Sequence, residues 1–139
     1  MPTDQELFDE LCFYTLSHQD PAFLHQHAVD CFAAHHASEK SKPITVVFGL
    51  IGLYLFLEKG FTGKQVQRMH MQLARQRKLW PAISPPKIQG QITVSDVLAA
   101  PPGLERDNAI REWCVSVWET WQTQRSLIVD LVRKELDIR

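Results

Sequence analysis

Histidines are concentrated in one short segment of this chain. Four of the six histidines lie in the run DPAFLHQHAVDCFAAHHA, from Asp20 to Ala37. The segment reads as one helix. On a wheel of about 100° per residue, three of the four, His25, His35 and His36, fall on its apolar side. An imidazole on a core-facing surface needs a hydrogen-bond partner or a metal ion. Any functional site is therefore expected on this helix.

A divalent metal held between helices is one chemistry that these histidines allow. His25 and His36 lie about 16 Å apart along a helix axis, so one ion cannot bind both. A shared site would need ligands from other helices, as in helical bundles that bind metals through inward-facing His and Glu. The further candidates are His18 in the first helical segment, Glu58 in the third and His70 in the fourth. Zinc, iron or manganese would suit such ligands, although no HExxH or ExxH motif is present.

Structural histidines are the more common alternative. A histidine on an apolar helix face usually bonds to a backbone carbonyl or a carboxylate. His27, Gln26 and Asp30 fall on or near the opposite edge of the wheel, where His27 is spaced to pair with Asp30 or Cys31. His27 and His35 lie four residues either side of Cys31, which would allow thiolate activation, but a buried inert thiol is commoner. We expect no cofactor, with a divalent metal as the alternative.

Composition argues against several classes of protein. The 139 residues suit one domain, and 45% hydrophobic and 22% charged residues are ordinary for a globular protein. A formal net charge of −1 gives no general attraction to nucleic acid or anionic membranes. Three cysteines without a CxxC motif are typical of reduced thiols in the cytoplasm. The acidic N-terminal segment does not resemble a signal peptide. We expect a cytoplasmic protein that binds neither nucleic acid nor membrane.

Helical periodicity predicts an all-α domain over residues 1–139, a bundle of four to five main helices. The predicted helices run from about Asp4 to Ser17, from an N-cap at Asp20 to the connector SEKSKP, from near Pro43 to Gly60, from Thr62 to Leu79 and from about Leu104 to Leu136, with a short helix in TVSDVLAA. The third is apolar all round, so we expect it to be buried at the centre. Its apolar stretch is too short to span a bilayer. Gly49 and Gly52 predict close approach of a neighbouring helix.

The long C-terminal helix would extend roughly 45–50 Å, beyond the bundle on which it packs. It either kinks near its polar break at residues 122–126 or projects to meet a partner. The apolar residues beyond this break are Leu127, Ile128, Leu131, Val132 and Leu136. If exposed, they would form a patch that monomers seldom show, and two-fold pairing would cover it. We therefore expect a homodimer. The proline-rich connector WPAISPPKIQGQ is long for a bundle and is expected to wrap the surface.

Four segments carry the most distinctive residues: DPAFLHQHAVDCFAAHH, LIGLYLFLEKG, ITVSDVLAAP and REWCVSVWETW. Their content and order resemble an uncharacterised bacterial family of helical domains of unknown function, over nearly the whole chain. The resemblance assigns the family pattern to His25, Gln26, Val29, Asp30, His36, Glu58, Gly60, Asp96, Trp113, Trp118 and Trp121. The chain differs in lacking a Cys-Pro-x-Cys segment and in having His35 where the family has glutamine. His70 lies outside the pattern. The resemblance implies the helical fold and no activity.

Two functions remain open at this point. The first is a small helical binding or interaction module that self-associates. The alternative is a metal- or small-molecule-dependent enzyme, with His25, His36 and Glu58 at a site inside the bundle. Burial distinguishes them, because ligands of a site converge on a pocket that solvent reaches, whereas structural histidines each bond locally.

Overall fold

The computed structural model describes residues 1–17, 20–76 and 79–139. These residues form seven α-helices joined by loops, and none of them forms a strand. The helices are α1 (Asp4–Leu16), α2 (Leu24–His35), α3 (Pro43–Lys59), α4 (Gly63–Gln76), α5 (Val94–Ala99), α6 (Leu104–Thr120) and α7 (Arg125–Leu136), with a 3-10 turn at Gln122–Gln124. The all-α prediction is confirmed. The helix count exceeds the predicted four to five mainly because the C-terminal helix is divided in two.

Helix α3 lies at the centre because it can be buried on every side. Leu50, Ile51 and Leu53 have no solvent exposure. The helix packs against α2, α4, α6 and α7. Pro43 begins it, where a missing N–H costs nothing, and Gly60 ends it in a left-handed conformation with φ of 70°. The buried central helix is therefore confirmed. Neither this helix nor any other in the described ranges is long and apolar enough to cross a bilayer.

Two glycines allow α2 to lie directly on α3. A Cβ atom at Gly49 would lie 2.9 Å from the carbonyl oxygen of Asp30. One at Gly52 would lie 1.8 Å from the Asp30 carboxyl oxygen Oδ2. Both glycines lie within a regular helix, so their role is to admit a neighbour and not to turn the chain. The predicted close approach is confirmed.

Helix α2 begins three residues later than an N-cap at Asp20 predicts. Phe23 precedes the helix in a left-handed conformation with φ of 53°. Asp20 still caps the helix, because its Oδ2 accepts a hydrogen bond from the N–H of Leu24 at 2.8 Å. The turn before the helix packs against the start of α4, where a Cβ atom on Gly63 would lie 1.8 Å from the Phe23 carbonyl oxygen. The start of α2 is therefore displaced beyond Pro21 by a turn that packs against Gly63 of α4.

The C-terminal segment folds back onto its own bundle. Helix α6 ends at Thr120, and after the 3-10 turn α7 packs against α3 and α4. Ile128 and Val132 are fully buried there. The prediction of one long helix is wrong, and of its two open outcomes the kink is present. The apolar surface on which the expected homodimer depended is therefore largely covered within one chain.

Candidate functional site

The predicted metal ligands on and near α2 lie apart. His25 is half-buried, with its Nδ1 atom 3.0 Å from the Thr15 hydroxyl on α1. His36 is exposed, with its Nε2 atom 3.7 Å from the Asp4 carboxylate. The prediction that His36 faces the core is wrong. Helix α2 ends at His35, and His36 is its C-cap at the edge of the bundle. His18 lies outside the described residues.

Glu58 joins α3 to both C-terminal helices. Its Oε2 atom accepts hydrogen bonds from Trp118 Nε1 at 2.8 Å and from Arg125 Nε at 2.9 Å. The Arg125 guanidinium also holds the pKa of the Glu58 carboxyl below its usual range, with a smaller contribution from Trp118. These contacts assign Glu58 to a link between helices.

His70 is the one predicted ligand that lies in a polar cluster. Its Nε2 atom is 3.0 Å from the Phe48 carbonyl oxygen, and its Nδ1 atom is 3.4 Å from the Gln26 amide nitrogen. The carboxyl oxygen Oδ1 of Asp30 lies 3.9 Å from Nε2. Burial lowers the pKa of His70 to about 4, so the ring is neutral at pH 7. A neutral ring that donates from Nε2 to Phe48 and accepts from Gln26 at Nδ1 satisfies both nitrogens.

Asp30 supplies the buried carboxyl group of this cluster. Its Oδ1 atom accepts a hydrogen bond from the Gln26 amide at 3.2 Å, whereas Oδ2 has no hydrogen-bond partner among the described residues. Burial raises the pKa of Asp30 well above its usual value. Asp30 is 3% exposed and His27 is 1% exposed, so their predicted place near the solvent edge is wrong. The reason is that α2 packs against α1, α3, α4 and α6, which cover more than its apolar face.

The remaining histidines of α2 also have local roles. The ring of His27 stacks on Phe56, with 3.6 Å between centroids. Burial lowers the pKa of His27 to about 4. His35 Nδ1 accepts a hydrogen bond from Trp113 Nε1 at 3.0 Å, which ties α2 to α6. His35 is thus held by one neighbour, as expected for a structural histidine. The Nδ1 atom of His27 is buried without a hydrogen-bond partner among the described residues, so its ring is held by stacking on Phe56.

The thiol of Cys31 lies beside that of Cys114, and both residues are fully buried. Burial raises the pKa of the Cys31 thiol, and the neighbouring Cys114 raises it further. A raised pKa opposes thiolate formation, so these surroundings do not activate Cys31 as a nucleophile.

The predicted metal ligands that the structure describes do not converge on one point. In residues 1–17, 20–76 and 79–139, no group of three or more His, Cys, Asp or Glu side chains could hold an ion. His25, His36, Glu58 and His70 each contact different partners. Ligation by any of them stays a prediction, and His18 stays with it.

An open groove of about 1170 Å³ lies between α6 and the connector that precedes α5. Sequence reasoning did not select its residues. The residues that line it are Pro86, Lys87, Ile88, Gln89, Gly90, Gln91 and Ile92 on the connector, and Asn108, Arg111, Glu112, Val115, Ser116, Glu119, Thr120 and Thr123 on the other side. Ile88 is 80% exposed and Val115 is 37% exposed. The unusual length of the proline-rich connector was the one sequence feature that pointed to this region. The sequence does not show that the connector crosses α6.

The connector lies close to α6 at Gly90. A Cβ atom on Gly90 would lie 2.6 Å from the Ser116 hydroxyl oxygen, so only glycine fits there without a shift. Within the described part of the chain, the backbone N–H and C=O groups of residues 87–92 form no hydrogen bond with other protein groups, and Pro86 adds only a carbonyl because proline has no N–H. One wall of the groove therefore offers unpaired backbone donors and acceptors.

Charges on the other wall are arranged around Val115. Glu112 and Glu119 line the groove on either side of it, and no described cation lies within ion-pair distance of either. The guanidinium of Arg111 lies 5.2 Å from the centre of the Phe56 ring, which it covers. The acidic groups are thus free to meet a ligand, while Arg111 is engaged by an aromatic face.

A smaller cleft of about 410 Å³ lies between α4 and the C-terminal residues. Phe61, Met69, Leu136 and Ile138 supply its apolar lining. It provides a second concave surface with which binding at the groove can be compared.

Comparison with known proteins places the chain in a family. No curated protein and no solved structure matches it. The sequence profile of DUF5946, described as a family of unknown function, matches residues 3–122. The matched range contains α1 to α6 and ends before α7. The chain therefore belongs to DUF5946, a family of unknown function.

Proposed function

We propose that this protein is a ligand-binding module and that the groove between α6 and residues 86–92 is its binding site. The observation that carries the proposal is the groove itself. Its volume of about 1170 Å³ is enough for a ligand the size of a cofactor or a short peptide segment. Ile88 and Val115 expose apolar surface along it. Polar and charged side chains make up most of the rest of the lining and can orient a ligand on this apolar surface.

The polar interior supports binding at the surface over catalysis inside the bundle. The alternative function requires His25, His36 and Glu58 to converge, and each has its own local partner. The Gln26–Asp30–His70 cluster satisfies both nitrogens of His70 internally. These groups hold helices together, which leaves the groove as the better-supported site.

A fragment screen by two-dimensional ¹H–¹⁵N NMR tests this proposal without knowledge of the ligand. Mixtures of small aromatic and amide fragments should shift resonances of Gln89, Ser116 and Thr123. The variant Val115→Glu places a charge in the apolar part of the groove and should abolish those shifts. The matched control is Met71→Glu, at an exposed residue of α4, which should leave them unchanged.

Two results would count against the proposal. Fragments that shift only residues of the smaller cleft, such as Phe61 and Leu136, would move the site there. Groove resonances that never shift, or shift equally in Val115→Glu, would show that the groove does not bind. Circular dichroism of both variants verifies that the helices are intact.

A cytoplasmic location and self-association belong to the same proposal. Cys12, Cys31 and Cys114 form no disulfide, which fits a reducing compartment. Because α7 is folded back, a homodimer would need another apolar surface. Phe13 and Leu16 on α1, exposed to 76% and 59%, offer the best-supported one.

A further inference from the structure

The α6 wall of the groove has a regular charge pattern. Glu112 and Glu119 are separated by seven residues, which is about 10 Å along a helix. Val115 lies between them on the same side, and all three residues are exposed. An apolar contact flanked by two unpaired carboxylates is complementary to a ligand with an apolar group between two cations.

The opposite wall favours an extended chain. Among the described residues, 87–92 leave their backbone N–H and C=O groups unpaired, and Gly90 lies against Ser116. The connector is irregular, with bends at Lys87, Ile88 and Gln91, so an extended peptide can hydrogen-bond to some of these groups without forming a regular ladder, and its side chains then supply specificity. Side chains at every second position of an extended peptide point to the same side, and positions i and i+4 lie about 13 Å apart. Flexible lysine or arginine side chains adjust that distance to the spacing of the carboxylates.

Resting on the proposed function, we infer that the groove binds an extended peptide segment in which an apolar residue has a basic residue two positions before it and another two positions after it. The apolar side chain contacts Val115, and the two basic side chains pair with Glu112 and Glu119. Lys87 lies on the connector wall, so the cations face α6 and not the connector.

Fluorescence anisotropy with four labelled heptapeptides tests the inference. The peptide TKTVTKT carries the inferred pattern. TETVTET and TQTVTQT change only the charge, and KTTVTTK has the same composition but places both lysines on the face opposite the valine. We expect TKTVTKT to bind at least tenfold more tightly than TETVTET and KTTVTTK. Raising the salt concentration should weaken it, because its ion pairs are partly exposed.

Variants of the wall identify the contacts. The double variant Glu112→Lys, Glu119→Lys should reverse the preference in favour of TETVTET. The matched control Glu105→Lys changes an exposed acid of α6 that does not line the groove, and it should leave the preference unchanged. Gln89→Pro removes one backbone donor from the connector and should weaken TKTVTKT severalfold.

The outcomes separate this inference from the proposed function. Equal binding of TKTVTKT, TQTVTQT and KTTVTTK would overturn the charge pattern. Failure of all four peptides, with fragments still shifting groove resonances, would overturn the peptide class and leave the groove as a binding site. Failure of peptides and fragments together would overturn both.

Discussion

The carboxyl group of Asp30 occupies the space that a side chain at position 52 would fill. A Cβ atom built on Gly52 lies 1.8 Å from Oδ2 and 2.4 Å from Cγ of Asp30. Residue 52 must therefore lack a side chain for α2 and α3 to pack at this distance. The same contact excludes water from one side of a carboxyl group that is already buried.

Gly52→Ala should lower the free energy of unfolding. Alanine gains about 1 kcal/mol in helix propensity, but overpacking typically costs about 1–3 kcal/mol and more where backbone must move. We expect a net loss of about 1–2 kcal/mol by urea denaturation, toward the upper end because the Cβ atom would overlap the Asp30 carboxyl group. In an Asp30→Ala background the clash with the carboxyl group is absent, so the same substitution should cost clearly less. Equal costs in the two backgrounds would mean that the Asp30–Gly52 contact does not limit packing.

The stability of the Asp30→Asn variant, relative to that of the parent protein, should increase as the pH rises. The pKa of Asp30 is raised in the folded state, so the unfolded chain loses this proton at a lower pH than the folded chain. The contribution of Asp30 to stability is full below its unfolded pKa of about 3.9 and decreases as the pH rises through the folded value. Urea denaturation should show that the free energy of unfolding of the variant, relative to that of the parent protein, is higher at pH 8 than at pH 5. Asp130→Asn, at an exposed position, should show no such gain.

Glu58→Gln should weaken the attachment of α7. The substitution removes the charge that Arg125 and Trp118 contact, and because Glu58 is partly exposed we expect a loss of about 1 kcal/mol. Since Arg125 lowers the pKa of Glu58, the stabilisation is present at neutral pH and is lost as the pH falls through that lowered value. Thermal unfolding at neutral and acidic pH measures the difference. A difference that persists at pH 2 would contradict the role of the charge.

Untagged protein should contain far less than one equivalent of zinc, iron or manganese. His25, His36, Glu58 and His70 each have a separate partner, so they do not form one coordination sphere. Elemental analysis after purification in metal-free buffer is the measurement. Stoichiometric metal would reverse this expectation. Its loss in His18→Ala, His25→Ala or His70→Ala would then identify the ligand.

The role of α7 in stability and any self-association can be measured separately, the first by urea denaturation and the second by light scattering. A chain that ends at Arg125 loses buried Ile128 and Val132, so we expect it to be strongly destabilised by roughly the cost of removing several core residues. If the full-length chain is dimeric, Phe13→Ser with Leu16→Ser should make it monomeric, whereas Leu104→Ser, at another exposed residue, should not. A monomer at micromolar concentration would remove the homodimer from the proposal.

Local patterns in the sequence were sufficient for α3 and its ends, but not for the start of α2 or the division of the C-terminal helix. The apolar circumference of α3 predicts its burial, because a helix with no polar face is stable only among other helices. Pro43 and Gly60 mark its ends through backbone preferences that need no tertiary partner. Gly49 and Gly52 predict a close neighbour for the same reason, since glycine inside a helix costs stability unless something packs against it.

Tertiary packing decided which side of α2 is buried, where the C-terminal segment turns and where a groove opens. A helical wheel divides α2 into two faces, but four neighbouring helices cover it, so Asp30 and His27 are buried despite their polar side chains. The sequence favours a projecting tail that pairs in a homodimer and leaves a kink as the alternative, and contacts of α7 with α3 and α4 select the kink. The groove depends on residues far apart in the chain, Gly90 and Ser116, which meet only when the connector crosses α6. No periodicity within a single segment encodes a contact of that kind.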